Sequence, residues 1–254
     1  MHGRGNQGGG LGFGPPFTPP IVKKLLIANG IVFVIQLAVP SFTDLFGVVP
    51  LLFWQQGYLW QPFTYMWLHS THHIFHILMN LFVLWMFGSQ LAMAWGPKRF
   101  MRYYLICGIG AGFFIATMPY VSVALGISHP MSLGIATVGA SGAIYGVLLA
   151  YSLTWPDRTI MLIFPPVAFR AIWLIPLLFF MTFLFGGGNV SHVGHLGGVV
   201  VGWLYLRRSG DTHGLLSLKQ IKYRWQRYRM RRRLRSVQYE EWEKRRREND
   251  HRFH

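Results

Sequence analysis

Long apolar stretches, separated by short polar segments, dominate the chain from residue 21 to residue 206. Six of them are long enough, or nearly so, to cross a bilayer core of about 30 Å as a helix of roughly 17–25 residues. They cover approximately residues 21–39, 73–94, 100–120, 138–155, 171–185 and 193–206. The last two are short and contain glycine or histidine. The pattern predicts an all-α polytopic membrane protein with six transmembrane helices.

The distribution of charge supports this prediction and orients the helices. The 254-residue chain is 52% hydrophobic and 13% charged, whereas about a quarter of the residues in a soluble domain are charged. The connections at residues 41–72, 121–137 and 186–192 contain no lysine or arginine, and the bases of the body lie at the opposite ends of the spans. The positive-inside rule therefore predicts that both termini are cytoplasmic.

The two ends of the chain differ in composition from the apolar body at residues 21–206. Residues 1–20 are rich in glycine and proline, show no cleavable signal peptide and are expected to form a disordered leader. Residues 207–254 form a basic tail that carries most of the net charge of +16. Arginines alternate with aromatic residues in this tail, which suits anionic lipid headgroups. A solvated helix that fixes the topology is the alternative, and a nucleic-acid partner is not expected.

One serine stands among very small residues near the predicted outer end of the fourth span. The segment TVGASGAIYG places Ser141 beside Gly139, Ala140 and Gly142. Small side chains let a second helix or a substrate backbone approach, and they leave the N–H groups of the helix start open to a developing oxyanion. A lone serine in a membrane helix more often bonds to its own helix. A chemical role for Ser141 therefore requires a partner.

A histidine at a comparable depth occurs in the sixth predicted span. His195 lies a few residues in from the outer surface, and Gly198 and Gly202 follow it. Such a GxxxG face lets two membrane helices pack closely. We therefore expect the sixth helix to bring His195 towards Ser141. A serine nucleophile needs a base of this kind within hydrogen-bonding reach.

No carboxylate is expected behind this base. Asp44 lies in the long outer connection and Asp157 on the cytoplasmic side, so the pattern favours a Ser–His dyad over a triad. Tyr145 follows Ser141 by four residues and shares its helix face. Its ring is a candidate to hold the imidazole of His195, and ordinary helix packing is the alternative.

A histidine and an asparagine share one face of the second span. His76 and Asn80 are four residues apart, and polar side chains inside a membrane tend to face a cavity or a partner. Both side chains can donate hydrogen bonds to an oxyanion. Bonds to neighbouring helices that only stabilise the bundle are the alternative.

Together these residues resemble the rhomboid family of intramembrane serine proteases. The resemblance rests on GASG at residues 139–142, HILMN at residues 76–80 and HLGGVVVG at residues 195–202, in that order and each on its expected span. It implies a six-helix bundle that cleaves other membrane proteins without a metal or an organic cofactor. It further implies roles for the matching residues: Ser141 as nucleophile, His195 as general base, His76, Asn80 and the Ser141 amide as oxyanion donors, and Tyr145 as the ring stacked on the base.

Two features depart from the expected pattern. The interval between His69 and His76 is slightly longer than the family suggests, and His192 precedes His195 by three residues as a rival base. The glycines at matching offsets favour His195. The roles of the other outer histidines stay open at this stage: His69, His72, His73 and His192.

Other functions are compatible with parts of the pattern. The outer histidines suggest a metal-transport path, although no carboxylate joins them and HExxH is absent. A rhomboid relative that binds membrane proteins without cutting them, and a purely structural anchor, are further alternatives. We expect transmembrane proteins as substrates and, from the compact six-span body, a bacterial plasma membrane as the location. The sequence leaves the substrate and the oligomeric state open.

Overall fold

The structure is a computed structural model that describes residues 14–161, 167–185 and 192–209 together with Met230. Its α-helices are α1 Pro20–Ala38, α2 Phe42–Phe46, α3 Pro50–Gln55, α4 Gln61–Thr64, α5 Ile74–Val83, α6 Ser89–Trp95, α7 Pro97–Ala124, α8 Ser141–Thr154, α9 Leu174–Phe185 and α10 His192–Arg208. Short 3-10 helices occupy Tyr65–Trp67, Pro130–Gly134 and Ala171–Trp173. The chain divides after Leu206 into two units. The first 13 residues of the predicted leader and nearly all of the basic tail lie outside the described residues.

Within the described part of the chain, three helical stretches are long and apolar enough to cross a membrane. They are Pro20–Ala38, Ile74–Trp95 and Pro97–Ala124, and shorter apolar helices cover Ser141–Thr154 and Ala171–Phe180. The fourth predicted span is shorter than expected because α8 begins at Ser141, and residue 137 instead pairs with Val48 in an isolated β-bridge. The six-span count and the cytoplasmic termini stay predictions.

The second predicted span is continuous but not uniformly α-helical. A π-helical segment, Leu84–Gly88, joins α5 to α6, and the wider turn of such a segment alters which way its side chains face. The indole of Trp85 donates a hydrogen bond of 2.9 Å to the Thr18 hydroxyl. The end of the predicted leader, just before α1, is therefore in contact with this helix.

The core of the body is centred on α7 and α8. Tyr103 of α7 donates a hydrogen bond of 2.8 Å to the carbonyl of Gly146 in α8. Tyr65, from the connection between α1 and α5, donates one of 2.8 Å to the carbonyl of Gly108 in α7. These tyrosines are fully buried, whereas Ile31 and Val34 of α1 are exposed, as expected for a surface that faces lipid. Buried hydrogen bonds thus join α7 both to α8 and to the connection before α5.

One small sheet departs from the predicted all-α class. β1 Thr159–Met161 pairs antiparallel with β2 Ala168–Arg170. Both strands contain β-branched or aromatic residues, which favour extended backbone. The hairpin lies in the connection between α8 and α9, away from the site described below.

Candidate active site

The backbone that leads to Ser141 is held by the long connection between α1 and α5. Val48 and Thr137 exchange two hydrogen bonds of 2.9 and 2.8 Å, and the N–H of Gly139 donates to the carbonyl of Tyr65 at 3.1 Å. α8 then begins at Ser141 itself. Because the first N–H groups of a helix have no partner within the helix, those at the start of α8 are available to an anion.

Ser141 and His195 are in direct contact. His195 Nε2 lies 2.9 Å from Ser141 Oγ. His195 is buried and Ser141 is half-buried, whereas the side chain of His192 is exposed. Of the two histidines at the start of α10, His195 therefore makes the bond that a general base needs.

Glycines set the close approach of α8 and α10. A Cβ atom added at Gly198 would lie 1.9 Å from the carbonyl oxygen of Gly142, a backbone atom that no side-chain rotation can move. The absence of a side chain at Gly198 permits the short Ser141–His195 distance. Gly202 instead lets α10 approach α7, because a Cβ there would lie 2.5 Å from the Tyr103 hydroxyl.

Replacing Gly198 with alanine should therefore separate the two helices and move His195 away from Ser141. Overpacking of a tight interior costs about 1–3 kcal/mol, and a displacement of about 1 Å at reacting groups can cost about 10²-fold in rate. We expect the purified protein to have a lower Tm. We also expect kcat/KM for cleavage of a model peptide to fall by about 10²-fold. Gly30→Ala is the matched control, because a Cβ at Gly30 meets nothing within 4 Å. Wild-type kinetics for Gly198→Ala would contradict the packing argument.

An aromatic ring stacks on the imidazole of His195. The rings of Tyr145 and His195 stack at 4.1 Å with an interplanar angle of 11°. The Thr182 hydroxyl donates to the Leu178 carbonyl of its own helix, so the Tyr145 hydroxyl is the donor in its 3.1 Å bond to Thr182. The stacked ring is thus held at its far end by α9.

Neither Asp44 nor Asp157 bonds to the second ring nitrogen of His195, as the sequence led us to expect. Among the described residues, the buried Nδ1 of His195 has no hydrogen-bond partner. Asp44 is exposed on α2, and Asp157 lies 3.7 Å from the guanidinium of Arg170. In the part of the chain that the structure describes, Ser141 and His195 thus form a hydrogen-bonded pair with no carboxylate behind the imidazole, and their action as a catalytic dyad stays a prediction.

The imidazole of His76, on α5, lies near Gly139 and Ser141. The N–H of Ser70 donates to His76 Nδ1 at 3.2 Å. Since a neutral imidazole carries one proton, this bond assigns the proton to Nε2 and makes that nitrogen a donor. A Cβ built on Gly139 would lie 2.8 Å from His76 Nε2 and 3.8 Å from Ser141 Oγ. His76 Nε2 and Ser141 Oγ therefore both lie within 4 Å of the position that a side chain at residue 139 would occupy.

Gly139 is the residue that makes room for this donor. Its φ of +133° lies in a region that side-chain-bearing residues rarely adopt, and a Cβ there would collide with His76 Nε2. Gly139→Ala should displace the imidazole and lower kcat by about 10²-fold, the effect of removing one oxyanion donor. Gly134→Ala is the control, because a Cβ at Gly134 meets nothing within 4 Å. Equal kcat values for the two variants would show that His76 does not act from this position.

Asn80 lies one turn after His76 and is buried. Its amide nitrogen donates to the carbonyl of His76 at 2.7 Å. An amide carries two N–H donors, so this bond uses one and leaves the second. The geometry thus ties Asn80 to the helix turn of His76, and its role as an oxyanion donor stays a prediction.

The other outer histidines fall into two groups. His72, His73 and His192 are exposed, whereas His69 is fully buried and its ring packs edge-on against His76 at 5.3 Å. Burial, and to a smaller degree His76, lowers the pKa of His69 to about 3, so its imidazole is uncharged at neutral pH. Among the described residues, which include all of these histidines, no cluster of three or more His, Cys, Asp or Glu side chains is arranged to hold a metal ion.

Comparison with known proteins identifies the class to which this fold and site belong. The model of the rhomboid domain matches residues 56–209. The match covers more than half of the chain, so the protein belongs to the rhomboid family, whose members are typically intramembrane serine proteases. Family membership and the long apolar helices together identify an integral membrane protein.

Individual relatives are 27–33% identical to the chain over the matched regions. Rhomboid protein 1, mitochondrial, of Saccharomyces cerevisiae is 32% identical over 141 residues, which is 54% of this chain and 38% of the relative. Presenilin-associated rhomboid-like protein, mitochondrial, of Homo sapiens is 33% identical over 142 residues, 54% of this chain and 35% of the relative. RHOMBOID-like protein 6, mitochondrial, of Arabidopsis thaliana is 27% identical over 173 residues, 67% and 47% of the two chains. The matches thus span less than half of each relative, and their mitochondrial names do not support the expected bacterial plasma membrane.

Proposed function

We propose that this protein is an intramembrane serine endopeptidase that cleaves transmembrane segments of other membrane proteins through a Ser141–His195 dyad. The observation that carries the proposal is the 2.9 Å contact between Ser141 Oγ and His195 Nε2. It occurs at the start of α8, where the first N–H groups have no partner within the helix. The closely packed glycines and the stacked tyrosine support the same reading.

The reaction follows from these positions. His195 Nε2 accepts the proton of Ser141 as Oγ attacks the carbonyl carbon of the scissile bond. The oxyanion that forms accepts hydrogen bonds from His76 Nε2, the free amide N–H of Asn80 and the backbone N–H of Ser141. The tetrahedral intermediate then expels the amine, which takes the proton from His195. Water, activated by the same imidazole, hydrolyses the acyl-enzyme.

The substrate must present an unwound peptide bond to this site. The carbonyls of an intact helix are shielded by the helix itself, so segments with glycine or other poor helix formers near the cut should be preferred. We propose entry from the lipid side between α5 and α9, as the family suggests. No metal or organic cofactor takes part in the proposed steps.

The proposal includes the number of membrane spans and the side of the membrane on which the two termini lie. Six spans place residues 1–20 and the basic tail at residues 207–254 on the cytoplasmic side, where the tail contacts anionic lipid headgroups. The domain boundaries at residues 21 and 206 follow from this arrangement. The mitochondrial names of the relatives give no support to the bacterial plasma membrane predicted from the sequence.

Cleavage of a defined peptide tests the proposal. The purified full chain in proteoliposomes is given a quenched fluorogenic peptide, one apolar helix with a Gly-Ala pair near its outer end, and the products are mapped by mass spectrometry. We expect a cut at or next to this pair, and slower cleavage of a control peptide with Leu-Leu in its place. Binding of both peptides without cleavage would instead identify a non-catalytic rhomboid-like binder.

A further inference from the structure

A buried glutamine in α1 hydrogen-bonds to the backbone just before the start of α5. Gln36 is 1% exposed. Its Nε2 donates to the His69 carbonyl at 3.1 Å and to the Thr43 hydroxyl at 2.9 Å. Its Oε1 accepts from the N–H of His69 at 2.9 Å. An amide within an apolar helix is costly unless it is bonded, and two of these three bonds are made to the backbone of one residue.

The peptide group that is bonded to Gln36 also donates a hydrogen bond to His76. The His69 carbonyl and the Ser70 N–H belong to a single planar group and point in opposite directions. The carbonyl accepts from Gln36, and the N–H donates to His76 Nδ1 at 3.2 Å. A fixed carbonyl direction therefore fixes the direction of the donor that the imidazole accepts.

The position and tautomer of His76 depend on this donor. The Ser70 bond places the ring proton on Nε2, beside Gly139 and the nucleophile. On another side, the buried ring of His69 packs edge-on against His76 at 5.3 Å. Gln36 also bonds to the backbone of His69. The hydrogen bond and the ring contact that hold the His76 imidazole therefore come from two neighbouring residues, Ser70 and His69.

We infer that Gln36 is a positioning residue of the active site, which acts through the His69–Ser70 peptide group to hold His76 as an oxyanion donor. The inference rests on the proposed function. Gln36 lies on a helix that contributes none of the proposed catalytic residues. A displaced donor stabilises the transition state less while leaving substrate binding in place.

Gln36→Met tests this role, because methionine has a similar length and no amide. We expect kcat for the fluorogenic peptide to fall by up to about 10²-fold, with KM nearly unchanged. Asn29→Leu is the matched control. Asn29 is a buried amide two turns earlier on the same helix, and its nitrogen donates to Leu25 within α1. A similar loss of kcat in Asn29→Leu would show that any damage to α1 suffices, which would overturn the inference.

A double-mutant cycle with His76→Ala separates positioning from general stability. The readout is the rate constant for covalent labelling by a fluorophosphonate probe, whose product accumulates even in slow variants. Once His76 is absent, Gln36→Met should change the rate by no more than about twofold. An equal fractional loss in both backgrounds would overturn the inference and leave the protease proposal intact. Absence of labelling and cleavage in wild type would overturn both.

A shorter variant keeps the test valid if Gln36→Met fails to fold. Gln36→Asn retains an amide but is one methylene too short to reach the His69 backbone. It should show the same loss of kcat and the same dependence on His76. A wild-type kcat in a folded Gln36→Asn protein would overturn the inference. An equal fractional loss with and without His76 would overturn it as well.

Discussion

Ser141→Ala is expected to abolish cleavage of the fluorogenic peptide in proteoliposomes. Alanine lacks the Oγ that lies 2.9 Å from His195 Nε2, so no acyl-enzyme can form. In another serine protease, removal of the nucleophile costs about 10⁶-fold in kcat. An effect of that size would place turnover below detection.

The same helix provides a control for this variant. Ser152 is buried in α8, and its hydroxyl donates to the Leu148 carbonyl at 2.8 Å, a bond within its own helix. Ser152→Ala should therefore keep kcat close to wild type. Both variants should have similar Tm values, measured in detergent. Measurable turnover in Ser141→Ala would show that another group attacks the substrate.

His195→Ala is expected to have an effect nearly as large as the loss of Ser141. Without a base at 2.9 Å the serine hydroxyl is a weak nucleophile, and loss of the base alone can cost about as much as loss of the nucleophile. His192→Ala is the control, because it removes an exposed imidazole one turn earlier on α10. We expect kcat of His192→Ala to remain near the wild-type value. If His192→Ala lost activity and His195→Ala retained it, the protein would still be a serine endopeptidase, but its base would be His192.

The local part of the site could be predicted from the sequence because it depends on short spacings. Tyr145 follows Ser141 by one helical turn, and the glycines after His195 recur at the interval of a packing face. These spacings place side chains relative to their own helix. The structure adds the distances between helices, including the stacking of Tyr145 on His195.

The contribution of Gln36 could not be predicted because it depends on contacts between distant residues. Gln36 and His69 are 33 residues apart, and their bonds require the fold of the whole connection between α1 and α5. A signal was nevertheless present. A single amide in the apolar segment VFVIQLA must find a partner, since an unbonded amide in a membrane is costly.

The span lengths were predicted less well where the chain turns inside the body. Hydropathy extends the fourth span back to residue 138, but tertiary hydrogen bonds to Val48 and Tyr65 hold residues 137 and 139 in a non-helical conformation. The helix therefore begins at the nucleophile. The π-helical segment at Leu84–Gly88 and the hairpin of β1 and β2 also have no counterpart in the apolar pattern.

Fluorophosphonate labelling is the most direct test of Ser141 as the nucleophile, because it reports an activated serine without any assumption about the substrate. Purified wild-type protein in detergent is incubated with the probe beside Ser141→Ala, His195→Ala and Ser152→Ala. The labelled residue is then identified by mass spectrometry. We expect stoichiometric labelling of wild type and Ser152→Ala at Ser141, and no labelling of Ser141→Ala or His195→Ala. A folded wild-type protein that takes up no probe, or that is labelled at a residue other than Ser141, would contradict the role of Ser141 as the nucleophile.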